Sequence, residues 1–297
     1  MEGSYLAIKK LSNRLDFKRD EVNVISTGFR ELDALILGWE RGKFVVIGAR
    51  PAMGKTAFAL SMLHHIAVER NIPVALFSLE MSSLQLLTRF VSQQTSLTTD
   101  KLRTDILDDQ ERKIFNTYID KLEHAPIYVD DTQHISVDNI CKKAEKLFIE
   151  HDIRLIVIDY LQLIENKKQT EVVISQQLKE LARKLNIPIV ALAQVSRRLE
   201  YPTKHKRPQL CDFKDISIEE NADVILFLYR PEYYNISEWD EQGHLSTAGM
   251  PEFVLSKHYD QNTLGSIYLR WEAGKFSDLE KNYSQTKLDL KRHSCIV

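Results

Sequence analysis

The residues best suited to chemistry in this sequence lie in one loop that ends in glycine, lysine and threonine. The loop follows a strand-like apolar run at residues 44–47 and precedes a helical pattern that begins near Lys55. Backbone N–H groups at the start of such a helix bind phosphate, while the lysine reaches the β and γ phosphates and the hydroxyl reaches magnesium. The sequence therefore predicts a nucleoside triphosphate site. Its residues are Ala49, where the pattern usually has glycine, Arg50, Pro51, Ala52, Met53, Gly54, Lys55 and Thr56.

Hydrolysis of a triphosphate also needs carboxylates, one in the magnesium shell and one to activate water. Asp159 follows the apolar run 155–158, and Glu80 follows the run 74–77, which we expect to lie beside the loop strand. Gln194 follows the run 189–193, and its amide could sense the γ-phosphate. Ligands collect at the carboxyl ends of parallel strands, so these side chains are candidates for the same site. Alternatively, Glu80 is a solvated carboxylate at a helix start, and Gln194 a solvated edge residue.

Short apolar runs alternate with helical patterns from residue 43 onward. This alternation is typical of an α/β fold with a mainly parallel sheet and helices on both faces. Two late runs flank a polar stretch and predict an antiparallel hairpin at the sheet edge. The predicted parallel strands are 44–47, 74–77, 127–129, 155–158, 189–192 and 224–228; the predicted hairpin strands are 252–255 and 266–271.

Composition narrows the class of protein. The chain has 297 residues, of which 43% are apolar, so it can bury a full core. Its apolar runs are far shorter than the roughly 18 residues of a membrane span, and no secretory signal opens it, which predicts a cytoplasmic protein without membrane contact. Cys141, Cys211 and Cys295 lack the spacing of a disulfide framework or zinc site. The net charge of −2 leaves nucleic-acid binding open, because a local basic patch is sufficient.

Several stretches combine into a more specific pattern: residues 26–29 with 32–33, the loop 49–56, residues 78–82, residues 157–163, and Gln194 with Ser196 and Arg197. Together they resemble the ATPase domain of the DnaB-type replicative helicases, over roughly residues 25–276. The resemblance implies a RecA-like fold, ATP and Mg²⁺ as ligands, and single-stranded DNA as substrate. It also implies a homo-hexamer that works with other replication proteins. By the same resemblance Glu80 is the catalytic base, Asp159 the Walker B aspartate and Gln194 the γ-phosphate sensor.

Family members bind DNA on central loops, and two stretches here match them. The first is 165–170, with Lys167 and Lys168; the second holds Lys214 and Asp215, and Arg197 is a further candidate. Lysine contacts to phosphate are largely independent of DNA sequence and sensitive to salt. The second stretch is one residue shorter than the family form and lacks its glycine. The alternative is that Lys167 and Lys168 belong to an ordinary solvated loop.

Two departures from the family concern domain organisation and the neighbouring subunit. We expect a linker-like helix at 1–20, the ATPase domain at 21–280 and a loose tail at 281–297, without the family's N-terminal domain. The family supplies a lysine and an arginine finger in trans in the pattern Lys, any, Arg, and here Lys257 is followed by His258 and Tyr259. Because an arginine finger is worth ~10³- to 10⁵-fold in rate, Tyr259 predicts slow turnover unless another cation, such as Arg270, compensates.

Three functions remain as hypotheses from the sequence. The first is an ATP-driven DNA helicase and translocase that works as a hexameric ring. The second is an ATP-binding protein that assembles a ring or regulates a helicase with weak hydrolysis, which the Tyr259 replacement favours. The third is another RecA-like ATPase of the recombination or clock type, and residues 159–163 argue against it.

Overall fold

A computed structural model describes residues 24–95, 97–165, 171–195, 207–213, 216–239, 246–260 and 264–280. Its centre is an eight-stranded sheet in the order β10-β9-β8-β3-β7-β6-β4-β5. The six strands from β8 to β5 are parallel, and β9 and β10 are antiparallel at one edge. The strands of this sheet are β3 (Phe44–Ala49), β4 (Val74–Ser78), β5 (Ile127–Asp130), β6 (Leu155–Asp159), β7 (Ile189–Gln194), β8 (Val224–Tyr229), β9 (Glu252–His258) and β10 (Gly265–Tyr268).

Helices cover both faces of the sheet because its central strands are apolar on both faces. Along β3, Val45 and Ile47 pack into one core layer, and Phe44 and Val46 pack into the other. This two-sided burial confirms the predicted α/β class, and the predicted strands match the observed ones closely. The helices are α1 (Arg30–Ile36), α2 (Lys55–Leu63), α3 (Ser83–Gln94), α4 (Thr99–Thr104), α5 (Asp109–Glu123), α6 (Val137–His151), α7 (Glu171–Leu185) and α8 (Ile216–Asn221).

The sheet order corrects one expectation from the sequence. β4, which precedes Glu80, does not lie beside the loop strand β3, because β7 and β6 lie between them. β4 instead pairs with β6, and the pairing reaches Ser78 opposite Asp159. The chain therefore crosses over two strand positions after β3, and Glu80 emerges next to Asp159 rather than next to the loop strand.

The late hairpin is partly as predicted. β9 and β10 form the antiparallel edge, but the run 266–271 is divided, because β10 ends at Tyr268. The segment that follows forms β11 (Arg270–Glu272), which pairs with β12 (Lys275–Ser277) in a separate small sheet. Arg270 is therefore not on the strand that pairs with β9, and its guanidinium forms ion pairs with Glu272 at 2.8 Å and Glu280 at 3.8 Å. A further two-stranded sheet joins β1 (Val24–Ile25) and β2 (Trp39–Glu40).

Some predicted features lie outside the described residues. These are the linker-like helix at 1–20, the tail at 281–297 with Cys295, and the candidate DNA residues Lys167, Lys168, Arg197, Lys214 and Asp215. In the described part, Cys141 and Cys211 are free thiols, and no group of three or more His, Cys, Asp and Glu side chains is arranged to hold a metal. Over the same residues, no helix combines the length and apolarity needed to cross a membrane.

Asp223 fixes the start of the loop strand, which generates a prediction about stability. Its Oδ2 accepts a hydrogen bond from the N–H of Phe44 at 2.9 Å, and its Oδ1 lies 3.1 Å from Lys179 Nζ. Both side chains are largely buried. Asp223→Ala leaves a buried ammonium and a buried N–H without this acceptor, so we expect the free energy of unfolding to fall by about 3 kcal/mol. Urea unfolding measures the change.

The matched control is Asp105→Asn, because Asp105 pairs with Arg112 on the surface, its side chain is 80% exposed, and asparagine also tolerates its φ of 54°. Exposed ion pairs contribute little, so this variant should unfold almost like the unchanged protein. Equal destabilisation by both substitutions would contradict the role assigned to Asp223.

Candidate functional site

The phosphate loop begins inside a strand and ends at a helix. Ala49 occupies the position where the sequence pattern usually has glycine, and it is the last residue of β3. Its backbone is therefore that of a strand, which accepts alanine readily. Gly54 is different: its φ of 94° precedes the first turn of α2, and a Cβ there would come within 3.1 Å of the Trp271 ring. The conformation and the close contact both require glycine at this position. Pro51, Ala52, Gly54, Lys55 and Thr56 line a cavity, and Ala49, Arg50 and Met53 are buried.

Lys55 lies in the first turn of α2 and faces this cavity. Its Nζ donates hydrogen bonds to the carbonyl oxygens of Ala49 and Arg50, each at 3.2 Å. Burial lowers the pKa of Lys55 to about 8, although Asp159 and Glu80 act in the opposite direction. Lys55 is thus a cation whose charge lacks full solvation, and an anionic phosphate beside it would stabilise that charge.

Asp159 ends β6 and is bound to the helix that carries Lys55. Its Oδ2 accepts a hydrogen bond from Thr56 Oγ1 at 2.7 Å, and the residue is only 2% exposed. Burial raises the pKa of Asp159, and the Thr56 hydrogen bond opposes that rise. Its Oδ1 is also buried and has no hydrogen-bond partner among the described residues. The Thr56 hydroxyl and the unsatisfied Oδ1 of the Asp159 carboxylate that it bonds to form a set of oxygen ligands that suits Mg²⁺.

Glu80 and Gln194 line the same cavity, which measures about 470 Å³. The β4–β6 ladder continues past Ser78 through the bond from Leu79 N–H to the Asp159 carbonyl at 2.8 Å, so Glu80 follows directly beside Asp159. Gln194 ends β7 in register with Ala49. The structure thus places both residues in one cavity with Lys55, as the sequence predicted from strand ends.

The cavity also contains residues that the sequence analysis missed. Arg89, Ser92 and Gln93 of α3 line it, as do Thr99, Tyr160 and the β11–β12 hairpin residues Trp271, Ala273 and Gly274. Arg89 brings a cation near Asp159, and its charge opposes the rise that burial causes in the pKa of Asp159. Gln93 fixes the wall, since its Nε2 donates to the Gly274 carbonyl at 2.8 Å. Helical spacing of three and four residues places Arg89, Ser92 and Gln93 on one face, a signal that was present in the sequence.

Lys257 and Tyr259 lie far from this cavity. β9 runs antiparallel to β8, with Val224 opposite His258, so both residues lie at the amino-terminal edge of the parallel strands. The length of a six-residue strand separates that edge from the loop, roughly 20 Å. Lys257 Nζ donates to the carbonyls of Glu219 and Glu220 at the end of α8. The Tyr259 hydroxyl donates to the Glu40 carboxylate, and Lys43 Nζ lies 3.2 Å from its ring centroid.

Fold and site together define a RecA-like P-loop domain with a cavity for a nucleoside triphosphate. The model of the DnaB-like helicase C-terminal domain matches residues 24–278, and the chain therefore belongs to that family. It is 36% identical over 295 residues to the replicative DNA helicase DnaB of Geobacillus stearothermophilus, covering 96% of this chain and 62% of that relative. The chain thus spans less than two thirds of the length of this relative.

Two solved structures are similar at the level of the fold. The first is the structure of a DnaB-like replicative helicase and its interactions with primase. It superposes with a TM-score of 0.80 at 30% identity, over 92% of this chain and 68% of that one. A separately solved ATPase domain gives the same TM-score of 0.80 and the same identity of 30%, over 94% of this chain and 98% of that one. Both matches confirm the predicted RecA-like fold.

The lowered pKa of Lys55 generates a prediction about nucleotide affinity. Free Lys55 has a pKa of about 8. A bound triphosphate should raise that pKa, so binding above pH 8 takes up a proton and the affinity for ATP falls as pH rises. We expect a fall of up to about tenfold per pH unit above roughly pH 8, measured as the Kd of a fluorescent ATP analogue.

Lys55→Arg is the control, because a guanidinium keeps its charge throughout this range. Its affinity should stay level where that of the unchanged protein falls. A level profile with Lys55 intact would contradict the assignment.

Proposed function

We propose that this chain is the motor of an ATP-dependent DNA helicase and translocase of the DnaB type, which acts on single-stranded DNA as a hexameric ring in the cytoplasm. One observation supports it most: four separate parts of the chain bring Lys55 and Thr56, Glu80, Asp159, and Gln194 to line or adjoin a single cavity. Membership of the DnaB-like family supports the choice of motor over other RecA-like ATPases.

Within the cavity each side chain has a proposed task. Lys55 binds the β and γ phosphates, and Glu80 orients and deprotonates the attacking water. Thr56 and Asp159 would hold Mg²⁺, which supplies charge neutralisation on the phosphate oxygens when bound. Gln194 contacts the γ-phosphate through its amide, and Arg89 adds positive charge from the part of the cavity that α3 lines. These groups account for nucleotide binding and for water activation within one subunit.

Lys257 and Tyr259 support a ring because their edge of the sheet cannot reach the cavity of the same subunit. In a ring that packs this edge against the next cavity, Lys257 would supply a cation in trans. Tyr259 has no positive charge, and it already contacts Glu40 and Lys43. This contact favours the second candidate function, in which the chain binds ATP and assembles a ring but hydrolyses slowly and unwinds DNA poorly.

DNA contacts are proposed at Lys167, Lys168, Arg197, Lys214 and Asp215. Along the chain, residues 166–170 come after β6, which ends at Asp159, and residues 196–206 come after β7, which ends at Gln194; residues 214–215 precede α8. Lysine and arginine contacts to phosphate would make binding weaker as salt rises. We also propose other replication proteins as partners. Primase is one example, because the similar DnaB-like helicase was solved together with its interactions with primase.

The central test is the steady-state ATPase rate with and without single-stranded DNA, together with the mass of the assembly. We expect a hexamer, stimulation of hydrolysis by DNA, and strand displacement on a forked duplex. Lys55→Ala should abolish turnover, because the phosphates lose their main cation. Normal hydrolysis by that variant would refute the nucleotide site. An intact ring that hydrolyses ATP without DNA stimulation or strand displacement would favour the second function.

Replacing Tyr259 tests whether the missing cation limits the rate. Tyr259→Arg should raise the ATPase rate by at least about tenfold, below the ~10³-fold effect of an optimised arginine finger, because Glu40 also attracts the new guanidinium. Tyr259→Phe is the matched control: it retains the ring beside Lys43, removes the bond to Glu40, and should leave the rate unchanged. An unchanged or lower rate for Tyr259→Arg, with the ring intact by mass, would count against the finger hypothesis.

A further inference from the structure

Gln162 bonds to both backbone polar groups of Gln194. Gln162 lies in the 3-10 turn Leu161–Leu163, directly after β6. Its Nε2 donates to the carbonyl oxygen of Gln194 at 3.2 Å, and its Oε1 accepts from the Gln194 N–H at 3.0 Å. The side-chain amide of Gln162 therefore makes the two hydrogen bonds to Gln194 that the backbone of a neighbouring strand would otherwise make.

The reason lies in where β6 ends. Its ladder with β7 runs from Ile156 opposite Ile189 to Ile158 opposite Ala191 and goes no further. Successive strand residues direct their N–H groups to opposite sides, and the N–H of Val195 bonds to the Ala49 carbonyl on the β3 side. The backbone groups of Gln194 consequently face the β6 side, beyond the end of the β6–β7 ladder. The amide of Gln162 has the donor and acceptor of a peptide group and satisfies both.

The turn that carries Gln162 is held independently of this contact. Leu161 and Ile164, on either side of Gln162, are buried, while Gln162 itself is exposed. The turn closes through the bond from Ile164 N–H to the Leu161 carbonyl, and the next residue, Glu165, donates from its N–H to the Ile135 carbonyl at 2.9 Å. Gln162 thus extends from a fixed base, and its removal should leave the turn in place.

We propose that Gln162 is a positioning residue that holds Gln194 in the orientation for sensing the γ-phosphate. Fixing the N–H and carbonyl of Gln194 fixes the direction of its Cα–Cβ bond, and so keeps its amide directed into the cavity that Lys55 and Glu80 also line. The inference rests on the proposed role of Gln194. It assigns Gln162 an effect on ATP and its hydrolysis, which involve the γ-phosphate, and none on ADP.

The test substitutes Gln162→Leu, which keeps the approximate size and removes both hydrogen bonds. We expect kcat to fall about tenfold, as two lost hydrogen bonds of ordinary strength allow, with ADP affinity unchanged. Affinity for a non-hydrolysable ATP analogue should fall, so the preference for it over ADP shrinks. Gln176→Leu is the matched control, because Gln176 bonds only to Glu180 on the exposed face of α7 among the contacts described, and it should behave like the unchanged protein.

A double-variant cycle separates positioning from other effects. Gln194→Ala alone should reproduce the loss of kcat and of preference for the ATP analogue, and adding Gln162→Leu should produce no further loss. Fully additive losses would overturn the inference, as would a Gln162→Leu protein that loses ADP affinity and thermal stability together. If Gln194→Ala is impaired but Gln162→Leu is not, only the positioning role fails. If Gln194→Ala hydrolyses normally, the proposed role of Gln194 fails and this inference fails with it.

Discussion

The site depends on the hydrogen bond from Thr56 to Asp159, which joins the phosphate loop and its helix to β6. Thr56 belongs to the helix that follows the loop, and Asp159 ends β6, which lies two positions from the loop strand β3 in the sheet. The bond fixes the start of α2 against β6, while the second carboxylate oxygen of Asp159 is buried and has no hydrogen-bond partner among the described residues. Glu80 and Gln194 are then placed by the ladders of β4 and β7. The geometry of the site therefore follows from parallel register rather than from any long loop.

β9 runs antiparallel to β8, and this direction determines on which edge of the sheet its residues lie. The parallel strands bring their carboxyl ends to the cavity, whereas β9 carries Lys257 to the opposite edge. A side chain at that edge can contribute only to the cavity of another subunit, which is why the proposed function requires a ring. At this edge Tyr259 already contacts Glu40 and Lys43 of its own subunit. Any function in trans would have to compete with those contacts.

The sequence predicts most of the fold because its strands are apolar on both faces and are separated by clear helical patterns. It also predicts the cluster of Lys55, Glu80, Asp159 and Gln194, since strand ends of a parallel sheet meet at one edge. The sequence does not predict the strand order, because the neighbours of β3 come from distant parts of the chain. The expected contact between β3 and β4 was therefore wrong. Arg89 and Gln162 were also missed. Arg89 lies on a helix face that the spacing of residues 89, 92 and 93 does indicate, whereas Gln162 bonds to backbone groups, which no sequence pattern indicates.

The charges of the cavity explain why nucleotide binding and folding should be linked. Burial lowers the pKa of Lys55 and raises that of Asp159, so both shifts disfavour the charged forms in the free protein. Neither group is stabilised there as it would be beside a ligand of opposite charge. A triphosphate would stabilise the lysine, and a divalent cation would stabilise the aspartate. A bound metal–triphosphate pair would therefore supply the opposite charges that Lys55 and Asp159 lack in the free protein, and its binding would stabilise the fold.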